Sequence, residues 1–455
     1  MIGGVVMSSG DTQTNEGKVL SGIRIVDFTW VRAGPWATRW LGSLGAEVIK
    51  VEWPLREFGR GFGAAGTPPG IEPSLNTNGH FNDTNANKLS LSMNVRSERG
   101  MKIIRDLISV SDVVVENYSA KVLENWGLGY EDLKKLNPEI VYVSMSGFGH
   151  TGRDKHYTTF GPSAQALSGM TFSSGLPGEQ PAGWGWSYLD DTGGMYIAFN
   201  VLSAIYHKTI TGEGQHVDMG QMVMGATLNG SALLDITING RNSEREGYPS
   251  GNRSHWPDSP MLNNYRDRTV APHNTYRTKN DGYNDWCVIA CFSDEEWQIL
   301  VGLMGSPLWA LDKKFDSGLG RLNNQEELDV GIENWTNSFE KYELMQKCQE
   351  SGVRCMPVQS NEDRAENDPQ LRERGMYQDV EHPVLGTWRL QNAPFKLDKS
   401  PAHNYRHGPL IGQDNVQIIE GILGMTHKEL VSGYSDGTFW PKELDRFPYQ
   451  EEFLS

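Results

Sequence analysis

The stretch from Gly183 to Gly194, GWGWSYLDDTGG, holds the residues best suited to chemistry. Two adjacent carboxylates, Asp190 and Asp191, sit between a glycine–aromatic segment and a glycine pair. Aspartate at a helix start accepts backbone N–H bonds and complements the helix dipole, so capping is the plainest role. A second role is nucleophilic: a carboxylate attacks an activated acyl group to give a mixed anhydride. A helix N-terminus favours the negative charge that develops in such a step. Gly193 and Gly194 let a ligand backbone come close. Position alone supports both roles and names no acyl donor.

These residues need elements to hold them. MYIAFNVLSAI directly after the pair predicts a long helix, with Met195, Ala198, Val201, Leu202 and Ile205 as its apolar stripe. Upstream, GIRIVD reads as a strand, AGPWATRWLGSLG as a helix opened by Pro35 and closed by Gly45, and EVIKVE as the next strand. Residues 55–86 are rich in Gly, Pro and Asn and predict loop. KLSLSMNV is another strand, followed by an amphipathic helix carrying Ile103, Ile104, Leu107 and Ile108. DVVVEN and IVYVSMSGFG continue the strands. This alternation predicts a parallel doubly wound sheet, with ligands outside the strand carboxyl ends near Thr29–Gly34, Glu52–Trp53, Glu116–Ser119 and Ser144–Gly149.

The texture divides the chain into a flexible leader (1–20), a large α/β part (21–225), a smaller domain (226–335) and a return to the large domain (336–455). The smaller part carries a hairpin pattern in APHNTYRTKNDGYNDWCVIACF. Beyond it, KYELMQKCQESGVRCMPVQ reads as helix, glycine, strand.

Composition excludes several classes. The formal charge is 41 − 57 = −16, which argues against general binding of nucleic acid or anionic membranes. Cys287, Cys291, Cys348 and Cys355 match no zinc spacing and are too few for a disulfide scaffold, so reduced thiols and a cytoplasmic location are expected. No metal is expected. The N-terminus lacks the charged and apolar regions of a signal peptide, and no apolar run approaches the roughly 18 residues of a membrane span. The first turn, TWVRAGPWATR, lacks the dinucleotide glycines, and no phosphate-loop motif occurs. Gly433–Gly437 spells G-x-S-x-G, but no histidine follows it.

The chain resembles the class III (CaiB/BaiF-type) CoA-transferases over nearly its whole length. The likeness rests on LSGIRIVDFTWVRAGPWATRWLGSLGAEVIKVEWP, NANKLSLSMN, SDVVVENYSAKVLENWGLGYEDLKKLNPEIVYVSMSGFGHTG, LDDTGGMYIAFNVLSAIYHKTITGEGQHVDM and GPLIGQDN, in that order. It implies an interlocked homodimer, with a large domain built from both chain ends and a smaller α+β domain between. Gly194 assigns the family's catalytic aspartate to Asp190 and leaves Asp191 a helix-terminal carboxylate. The implied activity transfers CoA from an acyl-CoA to a free carboxylic acid, through an aspartyl anhydride and an aspartyl-CoA thioester. CoA is a substrate, and no tightly bound cofactor is implied.

The family's CoA contacts carry over to Arg32, Ala33, Trp53, Met93, Asn94, Arg96, Asn117, Tyr118, Ser119, Asn125, Thr158, Thr159, Phe160 and Gly161. Arg32, Arg96 and Lys88 are the expected positive charges for phosphates, and Trp53 is either a partner of adenine or a packing aromatic. Two rival functions share the family. An α-methylacyl-CoA racemase needs a histidine where this chain has Phe160. A non-catalytic subunit of a heteromeric transferase is expected to lose Asp190, which is present. The small domain shows no equivalent of the glycine loop of formyl/oxalate members. Trp184, Trp186, Tyr188 and Trp256 point to a larger or aromatic acid.

Overall fold

Six short runs form one parallel sheet in the computed structural model: β1 (Arg24–Asp27), β2 (Glu47–Glu52), β3 (Lys88–Ser92), β4 (Val113–Glu116), β5 (Val141–Ser146) and β6 (His216–Gly220). The strand order is β3-β2-β1-β4-β5-β6. Each neighbouring pair is parallel and in register, as in Ile25 opposite Val48 and Val113. The structure describes residues 18–53, 60, 66–172, 174, 180–185, 187–240, 270–280 and 282–440. The leader up to residue 17, part of the loop expected over 55–86, Trp186 and Trp256 lie outside them.

Alternation along the strands feeds two cores, because successive side chains face opposite sides of a sheet. Val26 and Val114 join one core with Ile103, Ile104, Leu107 and Ile108 of α3 (Glu98–Ser109). These four α3 positions are the ones its periodicity predicts. Burying such side chains contributes about 1.5–3 kcal/mol each before ordering costs. Ser97 caps α3 by accepting from the N–H of Gly100. Short helices Val122–Asn125 and Tyr130–Leu136 and the C-terminal helix His427–Ser435 bring Leu123, Leu133 and Leu430 to the same side. Ile25, Val113 and Val115 face the other core, with Ala37 and Leu41 of α1 (Ala33–Ser43) and Ile197, Val201 and Ala204 of the helix Tyr188–Thr211. A helix, Gly79–Thr84, lies inside the region expected to be loop, and its cap is the Asn78 side chain.

The inward face of the helix Tyr188–Thr211 keeps four of the five expected positions, Ala198, Val201, Leu202 and Ile205, against the core and leaves Met195 out. Leu189, Gly193, Gly194, Ile197, Val201 and Ala204 are buried, Met195 is exposed, and Ala198, Leu202 and Ile205 are partly covered. Apolar residues also stand outside that face, at Met195, Phe199, Tyr206 and Ile210, so periodicity alone does not centre it. The glycines select it: a methyl on Gly194 would stand 2.7 Å from the Ala33 carbonyl oxygen. Only glycine lets α1 approach that closely. No described helix is long and apolar enough to cross a membrane.

The described residues form two compact units. One holds those up to Met170, Gly183–Leu228 and those from Arg372 onward; the other holds Thr171–Ala182 and Asn229–Leu371. The second unit contains a three-stranded antiparallel sheet of β7 (His273–Arg277), β8 (Trp286–Ala290) and β9 (Arg354–Pro357). The expected hairpin is β7–β8, and the helix–glycine–strand run ends in β9. Its core gathers Trp297, Phe315, Leu328, Ile332 and Leu344 with all four cysteines, which are free and buried. The remaining strands, β10 (Tyr377–His382) and β11 (Gly386–Gln391), pair as a hairpin in the first unit.

Candidate active site

The parallel order reverses direction between β1 and β4, and their carboxyl ends open the crevice where such sheets bind ligands. The turn after β1 is tightly fixed. Asp27 is fully buried and accepts from the N–H of Thr29 at 2.7 Å, from the Thr38 hydroxyl at 2.6 Å and from Lys88 Nζ at 3.0 Å. Burial works to raise the Asp27 pKa, but Lys88, Lys50 and the two threonines bring it below the ordinary aspartate value. Trp30 and Asn117 exchange two hydrogen bonds across the reversal: Asn117 Oδ1 accepts from the Trp30 N–H at 2.8 Å, and Asn117 Nδ2 donates to the Trp30 carbonyl at 3.0 Å. Between them Val31 has φ of 61°, a left-handed conformation that costs a branched residue about 1–3 kcal/mol. His80 Nε2 lies 3.2 Å from the Val31 carbonyl oxygen.

Asp190 and Asp191 lie in the first turn of the helix Tyr188–Thr211. They do different things. Asp190 Oδ1 accepts a 2.6 Å hydrogen bond from Gln221 Nε2. Its Oδ2 faces Gly161, where an added Cβ would stand 2.2 Å away. Burial pushes the Asp190 pKa up; hydrogen bonds from Gln221 and Ser187 pull against this, Asp191 adds to the rise, and Arg32 opposes it. The net direction is upward, which makes the ionised carboxylate a stronger base and nucleophile. Asp191 instead accepts from Arg32 Nε at 2.6 Å, and Arg32 stacks on Trp36.

The parallel topology brings the other expected residues to the carboxyl edge of the sheet. Ala33 opens α1, Trp53 follows β2, Met93–Arg96 follow β3, and Asn117–Ser119 follow β4. Arg96 and Ser119 are exposed, and so is Asn125. Asn94 accepts from the N–H of Arg96 at 3.2 Å. Tyr118 packs on Trp30 and Trp126, each with ring centroids 5.8 Å apart. Met93 is fully buried, so its side chain serves the core and only its backbone faces the edge. Trp53 packs edge-on against Trp440 in a small cluster with Leu75 and Ile411. Lys88 belongs to the interior: its charge is taken up by Asp27, and burial lowers its pKa to about 8. Thr158 and Phe160 are exposed, Thr159 lies against Gly147, and Gly161 opens the helix Gly161–Leu167. One turn along that helix, Gln165 Oε1 accepts from the N–H of Trp184 at 3.3 Å, and Trp184 tilts against Tyr188 with centroids 5.5 Å apart.

Two relationships are absent from the sequence reading. One is the Arg32–Asp191 pair. The other is Gln221, a buried amide that opens the helix Gln221–Leu228 directly after β6. Its signal is available in hindsight: a lone polar residue in MGQMVMG at a strand's carboxyl end.

This arrangement meets its relatives at the level of the whole chain. The chain belongs to CoA-transferase family III, whose family model matches residues 20–415. It is an enzyme of that class. It is 31% identical over 417 residues to a formyl-CoA:oxalate CoA-transferase of Streptomyces coelicolor, covering 91% of this chain and 97% of that one. It is 31% identical to a succinyl-CoA–D-citramalate CoA-transferase of Chloroflexus aurantiacus, covering 90% and 96%, and 29% identical to a succinate–glutarate CoA-transferase of Agrobacterium fabrum, covering 88% and 94%. Among solved structures it matches a CaiB/BaiF family protein of Brucella suis with a TM-score of 0.76 at 26% identity, over 90% of this chain and 100% of that one.

Proposed function

We propose that this chain moves CoA from an acyl-CoA donor to a free carboxylic acid, with Asp190 as the nucleophile. The observation that carries this reading is the asymmetric setting of one carboxylate. Gln221 holds Oδ1 at 2.6 Å, while Oδ2 faces the side-chain-free surface of Gly161. In the first step Oδ2 attacks the thioester carbonyl carbon, the C–S bond breaks, and CoA leaves as thiolate. The thiolate then attacks Asp190 Cγ and expels the donor acid, leaving an aspartyl-CoA thioester. An acceptor carboxylate reverses both steps with its own acyl group. Thioester energy is kept throughout, so the cycle asks for no nucleoside triphosphate.

The sheet's carboxyl edge, from Arg32 and Ala33 to Asn117–Ser119, is the proposed CoA path, with exposed Arg96 on a phosphate. Trp184, held by Gln165 one helical turn from Gly161, and Tyr188 beside it are the proposed wall on the acid side. The working form is proposed as an interlocked homodimer. The helix Tyr188–Thr211 supports a second copy: Phe199, Tyr206 and Ile210 are each exposed by 65% or more, and an apolar row of this kind marks an association surface. Buried, reduced thiols support a cytoplasmic setting.

The test is mass analysis of the purified protein after mixing with acyl-CoA and a panel of acids, including dicarboxylates and aromatic acids. CoA-sized mass on the peptide containing Asp190, absent from Asp190→Asn, is the expected result. Exchange of α-deuterium into acyl-CoA without any acceptor acid would instead mark the racemase chemistry. Transfer only after addition of a second protein would mark a subunit of a heteromeric enzyme.

A further inference from the structure

The two oxygens of Asp190 stand in different surroundings: Gln221 Nε2 holds Oδ1, and Oδ2 faces Gly161. Gln221 follows the last strand of the parallel sheet without a linker. Its position is locked from several sides. The N–H of Met222 donates to the Gly147 carbonyl at 3.0 Å. A methyl on Gly220 would stand 3.1 Å from the Phe148 backbone, and one on Gly225 would stand 2.6 Å from the Ser168 hydroxyl. The Gln221 side chain is 5% exposed, and its Nε2 reaches Asp190 Oδ1 at 2.6 Å. An ionised carboxylate accepts only, so the group facing it must be the amide N–H.

We infer that Gln221 is a catalytic hydrogen-bond donor to the oxyanion that forms on Asp190 Oδ1 whenever Cγ becomes tetrahedral. This rests on the Asp190 reading above and adds a division of labour between its two oxygens. Oδ2, on the Gly161 side, makes and breaks the anhydride bond. When the CoA thiolate sulfur attacks Cγ, the carbonyl electron pair moves onto Oδ1, where the Gln221 N–H receives it. Collapse restores the Cγ–Oδ1 double bond and breaks the Cγ–Oδ2 bond. The donor acid departs with that electron pair and with Oδ2. The same donor serves when the acceptor carboxylate attacks the aspartyl-CoA thioester and CoA thiolate leaves. A pre-aimed donor in a site of this kind is worth about 100-fold or more in rate. Gln221 acts at the steps centred on Asp190 Cγ, not at the opening attack on the donor's carbonyl.

That separation is measurable. The purified enzyme is mixed with acyl-CoA alone, and two signals are followed: release of CoA thiol, and growth of the CoA adduct on the Asp190 peptide. In Gln221→Met, which keeps the side chain's length and burial but removes the donor, thiol release should stay near the wild-type rate. Adduct growth should slow by about 100-fold. Hydroxylamine should then trap acyl hydroxamate in the variant more than in the wild type, because the anhydride waits longer. Gln221→Glu should be slow at neutral pH and recover as acid restores a proton between the two carboxyl groups. Equal slowing of both signals in Gln221→Met would mark a packing role and overturn the inference; so would adduct growth at the wild-type rate. No adduct on Asp190 in the wild type would overturn the Asp190 reading itself, and this inference with it.

Discussion

Arg32 and Asp191 form a 2.6 Å ion pair although 159 positions separate them in the chain. Arg32 precedes α1, and Asp191 opens the helix packed against α1, so the pair ties the two helix N-termini together. Asp191 is thereby more than a helix-terminal carboxylate. The pair is partly solvent-exposed, which limits its strength to about 0.2–1 kcal/mol. Asp191→Asn should therefore change turnover by less than about fivefold. Most of that change should fall on KM for acyl-CoA, as steady-state kinetics with varied donor will read.

Asp190→Asn should reduce transfer by about ten-thousand-fold or more, since it removes the nucleophile. The same substitution should raise Tm. Burial holds the folded Asp190 pKa above its unfolded value, so the folded chain binds this proton more tightly than the unfolded chain. Stability then falls as pH rises through the window between the two values, and the penalty is complete once pH exceeds the folded one. A neutral asparagine removes it. In the wild type the acid limb of the activity–pH profile should lie above the ordinary aspartate range, and calorimetry with a pH–rate series checks both statements.

Gly161→Ala and Gly194→Ala should fail differently. A methyl on Gly161 meets the far end of the Asp190 side chain, at 2.2 Å from Oδ2. Activity should fall steeply with little change in Tm. A methyl on Gly194 meets the Ala33 backbone oxygen at 2.7 Å and Trp36 at 2.9 Å, both parts of a packed helix. Forcing it in should cost about 1–3 kcal/mol, visible as a lower urea midpoint.

His150 lies 3.3 Å from the buried Glu116. Burial lowers its pKa, but the Glu116 carboxylate beside it, with Asp218 beyond, brings the net value above that of free histidine. A raised histidine pKa gives stability that is complete below the unfolded value and is lost as pH rises through the folded one. The Tm gap between wild type and His150→Gln should therefore be widest in mild acid and close at alkaline pH.

The four cysteines should resist a thiol reagent in the native state and react together on unfolding. A hydrogen bond with Cys355 and burial hold the Cys348 thiol well above the usual range, a hydrogen bond with Cys287 and burial do the same for Cys355 against a pull from Cys348, and burial pushes Cys291 up to about 12. Reaction needs the thiolate, which these surroundings disfavour. Free CoA released during turnover can then be counted without interference from the protein.

Much of the large unit was legible because its signals are local. A strand buried on both faces needs a short β-branched run, and VVVE and VYVSMS are such runs. The amphipathic helix Glu98–Ser109 shows its core face in its spacing. The face of the helix Tyr188–Thr211 was legible at Ala198, Val201, Leu202 and Ile205, but its centre at Gly194 and Ile197 was not, because the close approach of α1 at Gly194 sets it. Lys88 was expected near phosphate from its charge alone. Its fate depends on Asp27, which stands on β1 while Lys88 opens β3.

By itself the sequence missed the helix Gly79–Thr84 but determined the parallel plan, the elements that build it and the resemblance that singles out Asp190. Each of these rests on residues near one another in the chain or on motifs in a fixed order. Only the tertiary structure decided which residues touch that carboxylate. Gln221 is 31 positions away and Arg32 is 159 from its own partner, so no local pattern encodes either contact. They meet because six parallel strands deliver their carboxyl ends to one edge. A hydrogen bond forms wherever two groups arrive within about 3 Å, however far apart they lie in the chain.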